Sequence, residues 1–138
     1  MKVLILNGPN LNLVGKREPE IYGNQSFDEF IPIIRKSFAD WEIQYEQTNH
    51  EGILIDLLQQ AESRFDAVIL NPGGYTHTSV ALADAIRSIS VPVVEVHLSN
   101  IHAREPYRQH SMTASACRGI ISGFGLQSYV LALQSVRK

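Results

Sequence analysis

The chain has 138 residues, of which 44% are hydrophobic and 19% charged, and its formal net charge is -2. This length fits one domain over residues 1–138 with a sizeable core. The charge argues against a nucleic-acid partner, because phosphate contacts need a basic surface. The single Cys117 excludes an internal disulfide and favours a reducing compartment. The apolar run at residues 3–6 is too short for a signal peptide or a membrane span, so we expect a cytoplasmic protein with no membrane partner.

Five segments have the patterns of β-strands. Two of them, residues 3–6 and 67–70, are short, continuous apolar runs, which are typical of strands covered on both faces. One alternates apolar with polar residues, which suits an edge strand with one wet face. The predicted strands lie at residues 3–6, 41–46 and 67–70, in a β-branched run that begins at residue 93, and at residues 119–123.

Helical patterns separate these strands. Ser26 and Glu29 form a capping box in front of an apolar stripe, although Pro32 lies past the first turn of that helix. Asn49 is predicted to cap a second helix, and Thr78 or Ser79 a third. A terminal helix is predicted at residues 126–136, and we expect strands and helices to alternate throughout.

This alternation predicts an α/β fold in which one parallel sheet carries helices on both faces. Five strands of this kind usually take the flavodoxin-like order 2-1-3-4-5, which places the alternating strand at an edge. Ligands of such sheets bind beyond the carboxyl ends of the strands, where the strand order reverses. The functional site is therefore expected beside the ends of the first, third and fourth strands.

Glu95 and His97 are the most informative pair in the sequence. A carboxylate is seldom buried without a partner, yet Glu95 stands inside an apolar run. Side chains alternate along a strand, so both residues point to the same face, roughly 6–7 Å apart along the backbone. Glu95 could therefore orient the imidazole of His97 and stabilise its charged form.

Three loops bring further polar residues to the same edge of the predicted sheet. A long segment at about residues 11–25 is predicted to be a functional loop, because loops of this length are uncommon in compact domains. The candidate residues are Asn10, Arg17 and Tyr22 after the first strand, Asn71 and His77 after the third, and His97, Leu98, Ser99 and Arg108 after the fourth.

Other classes of site find little support. The five histidines are scattered and no metal-binding motif is present, so no metal site is predicted. The chain lacks a GxGxxG motif, a Walker motif and a nucleophile elbow. Two alternatives on the same fold stay open: a flavin- or phosphate-binding module and a signalling receiver domain. Acid–base chemistry on a small, anionic substrate fits the polar residues better.

Four motifs, in order and nearly end to end, resemble type II 3-dehydroquinate dehydratase. They are residues 7–11 (NGPNL), residues 15–19 (GKREP) with Tyr22 and Gly23, residues 71–79 (NPGGYTHTS) and residues 95–105 (EVHLSNIHARE). The resemblance implies anti elimination of water from 3-dehydroquinate through an enolate, giving 3-dehydroshikimate in the shikimate pathway. It also implies that no metal and no other cofactor takes part.

The resemblance further implies a role for each matching residue. Tyr22 would be the base, Arg17 the cation that favours its ionised form, and His97 the general acid supported by Glu95. Asn10 would hold a water that stabilises the enolate. Asn71 and the backbone N–H groups of Leu98 and Ser99 would bind the substrate carboxylate, and His77 and Arg108 its hydroxyls. Family members form trimers, usually assembled into dodecamers, and Asp84 would reach a neighbouring subunit's site.

Overall fold

A computed structural model describes residues 1–16, 20 and 24–138 of the chain. Arg17 and Tyr22 lie outside the described residues, as does much of the predicted loop at residues 11–25. Within the described part, the strands are β1 (Lys2–Asn7), β2 (Glu42–Gln47), β3 (Ala67–Asn71), β4 (Val93–His97) and β5 (Gly119–Ser122). The helices there are α1 (Phe27–Ser37), α2 (Glu51–Ala61), α3 (Val80–Arg87) and α4 (Gln127–Val136).

The strands form one parallel sheet in the order β2-β1-β3-β4-β5, which confirms the predicted flavodoxin-like topology. β2 lies at an edge, as its alternating sequence predicts, and four of its six residues are half-buried. The order reverses between β1 and β3, so the carboxyl ends of these two strands border the crevice where ligands bind in such sheets.

Two hydrophobic cores cover the two faces of the sheet. Side chains from α1 and α4 pack on one face, against alternate residues of the strands such as Ile5, Ile69 and Val96. Side chains from α2 and α3 pack on the opposite face, against the intervening residues such as Leu6 and Leu70. The alternation of strand side chains thus assigns each polar residue near a strand end to one of these two faces.

The connection from β4 to β5 differs from the prediction. Strict alternation of strands and helices implied an α-helix there, but residues 98–118 contain only three short 3₁₀ helices: Ile101–Ala103, Pro106–Arg108 and Ala114–Ala116. Local side-chain bonds explain the first of them, since Asn100 Oδ1 accepts from the N–H of His102 at 3.1 Å. Such bonds offer the backbone an alternative to the α-helix.

The helix caps agree with the sequence at two of three positions. Ser26 Oγ accepts from the N–H of Glu29, and Ser79 Oγ accepts from the N–H of Leu82 at 2.9 Å. The prediction that Asn49 caps α2 is wrong, because His50 holds that position without a side-chain cap. Asn49 Oδ1 instead accepts from the N–H of Asn10 at 3.1 Å, so it restrains the loop after β1.

Candidate active site

A cavity of about 370 Å³ opens beyond the carboxyl ends of β1, β3 and β4, where the sheet topology predicts a ligand site. The loops after these three strands supply its walls. Its lining includes seven of the predicted site residues: Asn10, Asn71, His77, His97, Leu98, Ser99 and Arg108. Three sequence-distant segments therefore meet at one pocket, as the sequence predicted.

The loops after β1 and β3 approach each other closely. The N–H of Gly8 donates to the carbonyl oxygen of Asn71 at 2.7 Å. A Cβ on Gly8 would stand 2.6 Å from the carbonyl oxygen of Pro72, so only glycine fits without displacement. Asn10 follows in the left-handed region, at φ 69°, which asparagine tolerates better than most residues. The contact between Gly8 and Asn71 joins the loops after β1 and β3, and so holds Asn10 and Asn71 in the same wall of the cavity.

Glu95 and His97 form the predicted pair at the end of β4. Oε1 of Glu95 lies 2.8 Å from Nε2 of His97. The carboxylate is completely buried, whereas His97 is 6% exposed and lines the cavity. The carboxylate can therefore act on a ligand only through the imidazole, whose ring it holds in place.

Three hydroxyl groups surround the buried carboxylate of Glu95. Oε1 accepts from Thr76 Oγ1, from Thr113 Oγ1 at 2.9 Å and from Ser111 Oγ at 3.3 Å. The hydroxyl oxygens of Thr76, Ser111 and Thr113 lie 2.6–3.3 Å from one another, and we call these residues the hydroxyl cluster. Burial by itself would raise the pKa of Glu95, but hydrogen bonds from His97, Thr76 and Thr113 and the charge of His97 lower it overall. His97, Thr76 and Thr113 therefore keep this buried carboxylate ionised.

A second buried polar group lies on the opposite face of the sheet. Asn7 and Asn71 are directly opposite each other on β1 and β3. The hydroxyl of Tyr129 on α4 accepts from Nδ2 of Asn71 at 2.9 Å and donates to Oδ1 of Asn7 at 2.7 Å. We call these three residues the Tyr129 network. They reach the cavity through Asn71.

Among the described residues, the rim of the cavity carries more positive than negative charge. Arg104 and Arg108 both line it, and among the described lining residues the one carboxylate is that of Glu105, which lies 3.1 Å from Nε of Arg108. His77 is held at the rim by a hydrogen bond of 2.7 Å from Nδ1 to the carbonyl oxygen of His110. A small anion fits this balance of charge.

Asp84 does not line this cavity. Its exposed carboxylate on α3 lies 3.5 Å from the guanidinium of Arg87. Sequence reasoning missed Arg104 and Glu105 as lining residues, although both stand in the motif at residues 95–105. It also missed the hydroxyl cluster and Tyr129, since nothing in their local sequence distinguishes them from ordinary surface or core residues.

Two features are absent from the described residues. Among residues 1–16, 20 and 24–138, no three His, Cys, Asp or Glu side chains come together in a way that could hold a metal ion. No helix in these segments is long and apolar enough to cross a bilayer.

The doubly wound parallel sheet and the carboxylate–histidine pair at the end of β4, beside its switch point, define an α/β protein of flavodoxin-like fold with a site for acid–base chemistry. The model of the family Dehydroquinase class II matches residues 1–137. The chain therefore belongs to the class II dehydroquinase family.

Individual relatives agree with this assignment over nearly their whole length. The chain is 57% identical to a 3-dehydroquinate dehydratase of Thermus thermophilus, over 95% of this chain and 90% of that protein. It is 52% identical to one from Thermoanaerobacter pseudethanolicus, over 99% of this chain and 93% of that protein. The crystal structure of type II dehydroquinase from Butyrivibrio crossotus superposes with a TM-score of 0.96 at 41% identity, covering 100% of this chain and 98% of that one.

Proposed function

We propose that this chain is a hydro-lyase of the shikimate pathway, which removes water from 3-dehydroquinate to give 3-dehydroshikimate. The observation that carries the proposal is the match to class II dehydroquinases over residues 1–137. The cavity supports it independently, because its described lining combines an imidazole backed by a buried carboxylate with the guanidinium groups of Arg104 and Arg108. The whole chain is proposed to act as one catalytic domain.

His97 is proposed to act as the general acid. The elimination forms an enolate when a proton leaves the carbon beside the ketone, and the enolate then expels a hydroxyl group as water. His97 gives that hydroxyl its proton. Because Nε2 is bonded to Glu95, the transfer falls to Nδ1, and Glu95 compensates the charge of the ring while it carries both protons.

Tyr22 is proposed as the base that removes the carbon-bound proton, and Arg17 as the cation that favours its phenolate. Both lie outside the described residues, so their assignment rests on the family motif at residues 15–23. A phenol ordinarily ionises near pH 10, and a nearby guanidinium is the kind of group that favours its ionised form. Residues 11–25 are proposed to cover the bound substrate, which would exclude water from this pair.

The remaining cavity residues are proposed to bind the substrate. The carboxylate would be held by Asn71 and by the backbone N–H groups of Leu98 and Ser99, which need no side-chain ordering. The hydroxyl groups would meet His77 and Arg108, and Asn10 would hold a water near the enolate oxygen. All of these residues line the one cavity, which supports the assignment.

We also propose a trimer-based assembly, usually a dodecamer in this family, in which Asp84 contributes to a neighbouring subunit's site. The support is that Asp84 is exposed and does not line the cavity of its own chain.

A cytoplasmic location is proposed because a biosynthetic enzyme with one cysteine suits a reducing compartment.

The test is to incubate the purified protein with 3-dehydroquinate and follow the absorbance of the conjugated enone product. Tyr22→Phe and His97→Ala should each reduce kcat by orders of magnitude with the fold intact by circular dichroism. His102→Ala is the control, since His102 is exposed and lies outside the cavity lining. A folded wild-type protein that yields no enone would contradict the proposed function, and near-full activity in either variant would contradict that residue's role.

A further inference from the structure

The hydrogen bonds of the Tyr129 network have only one possible direction. The backbone N–H of Gly73 can only donate, and it donates to Asn71 Oδ1 at 3.1 Å. The other end of that carboxamide is therefore Nδ2, which can only donate and lies 2.9 Å from the hydroxyl of Tyr129. The hydroxyl of Tyr129 accepts this bond, so its own hydrogen is free to be donated to another group. It is donated to Oδ1 of Asn7, at 2.7 Å.

These bonds leave Asn71 with one uncommitted hydrogen. Its Oδ1 is occupied by Gly73, and one hydrogen of Nδ2 is occupied by Tyr129. Because Asn71 lines the cavity, the second hydrogen of Nδ2 is the one left for a ligand. A carboxamide fixed in this way presents a donor to the cavity, whereas a flipped one would present an acceptor that repels an anion.

We propose that Tyr129 is a positioning residue, whose buried hydroxyl fixes the carboxamide of Asn71 so that it offers an N–H donor to the substrate carboxylate. The inference rests on the proposed function, since it concerns the binding of that substrate. Tyr129 is completely buried and does not line the cavity, so it acts only through Asn71. Burial also raises the pKa of Tyr129. Its hydroxyl therefore stays protonated and can donate a hydrogen bond to Asn7.

The ring of Tyr129 has a separate, purely structural role. It packs edge-on against the rings of Phe27 and Phe30, with centroids 5.2 Å and 6.2 Å away. Tyr129→Phe keeps this packing and removes only the hydroxyl. The variant therefore separates positioning from core packing.

In Tyr129→Phe we expect KM for 3-dehydroquinate to rise about tenfold, while kcat changes less than about threefold. A tenfold change is the size expected for one lost polar interaction. The expected rise in the Kd of quinate is similar, because quinate keeps the carboxylate and has no ketone through which to form an enolate. Leu133→Val on the same helix is the matched control, since Leu133 is equally buried and bears no polar atom. It should lower Tm without changing KM.

A double-mutant cycle with Asn71→Ala decides whether the effect passes through the carboxamide. If it does, Tyr129→Phe raises KM in the wild-type background and has no further effect in Asn71→Ala. Additive effects, or an unchanged KM in Tyr129→Phe, would overturn the inference. Should Tyr129→Phe fail to fold, Asn7→Ala takes its place in the cycle, because it removes the acceptor that directs the hydroxyl. A wild-type protein without dehydratase activity would instead refute the proposed function.

Discussion

Glu95 reaches His97 from within the sheet: its Oε1 lies 2.8 Å from Nε2 of the imidazole, and its carboxylate has no contact with solvent. The two residues are two positions apart on β4 and share a face, so the strand itself sets their spacing. Thr76 and Thr113 of the hydroxyl cluster donate to the same oxygen, Oε1, and so help to hold the carboxylate. The imidazole is thus oriented both by its position on β4 and by its hydrogen bond to Glu95.

Glu95→Gln should reduce kcat for 3-dehydroquinate by about tenfold or more, up to the 10⁴-fold that general acid–base catalysis can supply. Glutamine keeps the shape and can accept from the hydroxyl cluster, but it carries no charge to balance the protonated ring of His97. Steady-state kinetics measure the effect. Glu62→Gln is the matched control, because that exposed carboxylate binds only the N-terminal side of β4, at Ser90 and Val91. Equal kcat in Glu95→Gln and wild type would contradict the proposed support of His97.

The lowered pKa of Glu95 predicts a pH-dependent difference in stability between wild type and Glu95→Gln. An unfolded glutamate ionises near pH 4.3, and the folded one below that value, so the unfolded chain binds more protons between the two. The stabilisation of the folded state by ionised Glu95 is therefore fully present above about pH 4.3. It is lost as the pH falls through the pKa of Glu95 in the folded protein. Tm measured from pH 7 to pH 3 should show the wild-type advantage shrinking below about pH 4. An advantage that is constant across this range would contradict the prediction.

Gly8→Ala should destabilise the fold by about 1–3 kcal/mol, the usual cost of overpacking. The new Cβ would meet backbone atoms of Pro72 at 2.6 Å and 2.8 Å, and backbone cannot move aside as a flexible side chain can. Because the same contact joins the two loops of the cavity wall, activity should fall as well. Gly52→Ala is the control: this glycine lies in α2 with nothing within 4 Å of an added Cβ. Alanine should stabilise that helix by up to about 1 kcal/mol. Chemical denaturation of both variants measures the contrast.

Cys117 should react slowly with thiol reagents in the native protein. Burial, together with the charge of Glu95, raises the pKa of Cys117 to about 12, so very little thiolate exists at pH 8. An unfolded cysteine ionises near pH 8.5. Modification by an aromatic disulfide at pH 8 should therefore be at least about 100-fold slower in the folded protein than in denaturant. Comparable rates in the two states would show that the thiol is not held in this environment.

Local sequence patterns were enough to predict most of the fold. Apolar runs and one alternating segment located the strands, and caps and apolar stripes located the helices. The alternation of side chains along a strand placed Glu95 on the same face as His97 before any tertiary information. The exception between β4 and β5 arose because short polar bonds, such as that of Asn100 to His102, replace the helix there. Asn49 has the residue type of a helix cap, but a tertiary contact with Asn10 uses its side chain instead.

Partners brought together only by folding could not be predicted. The hydroxyl cluster reaches Glu95 from 16 to 19 residues away, and the hydroxyl of Tyr129 meets Asn7 across 122 residues. A serine, a threonine or a tyrosine at such positions looks like any surface hydroxyl or core aromatic. Their placement depends on how the loops return to the sheet, which periodicity does not encode.

The hydroxyl cluster and the Tyr129 network lie on opposite faces of the sheet and share no side chain. Mutations in one should therefore leave the other undisturbed, and their free-energy effects should add. In evolutionary terms the two faces form separate modules, one proposed to serve proton delivery and the other proposed to serve substrate binding. Mutations in the Tyr129 network could then change the affinity for substrate to suit a different cellular concentration. His97, the proposed general acid, would be retained throughout.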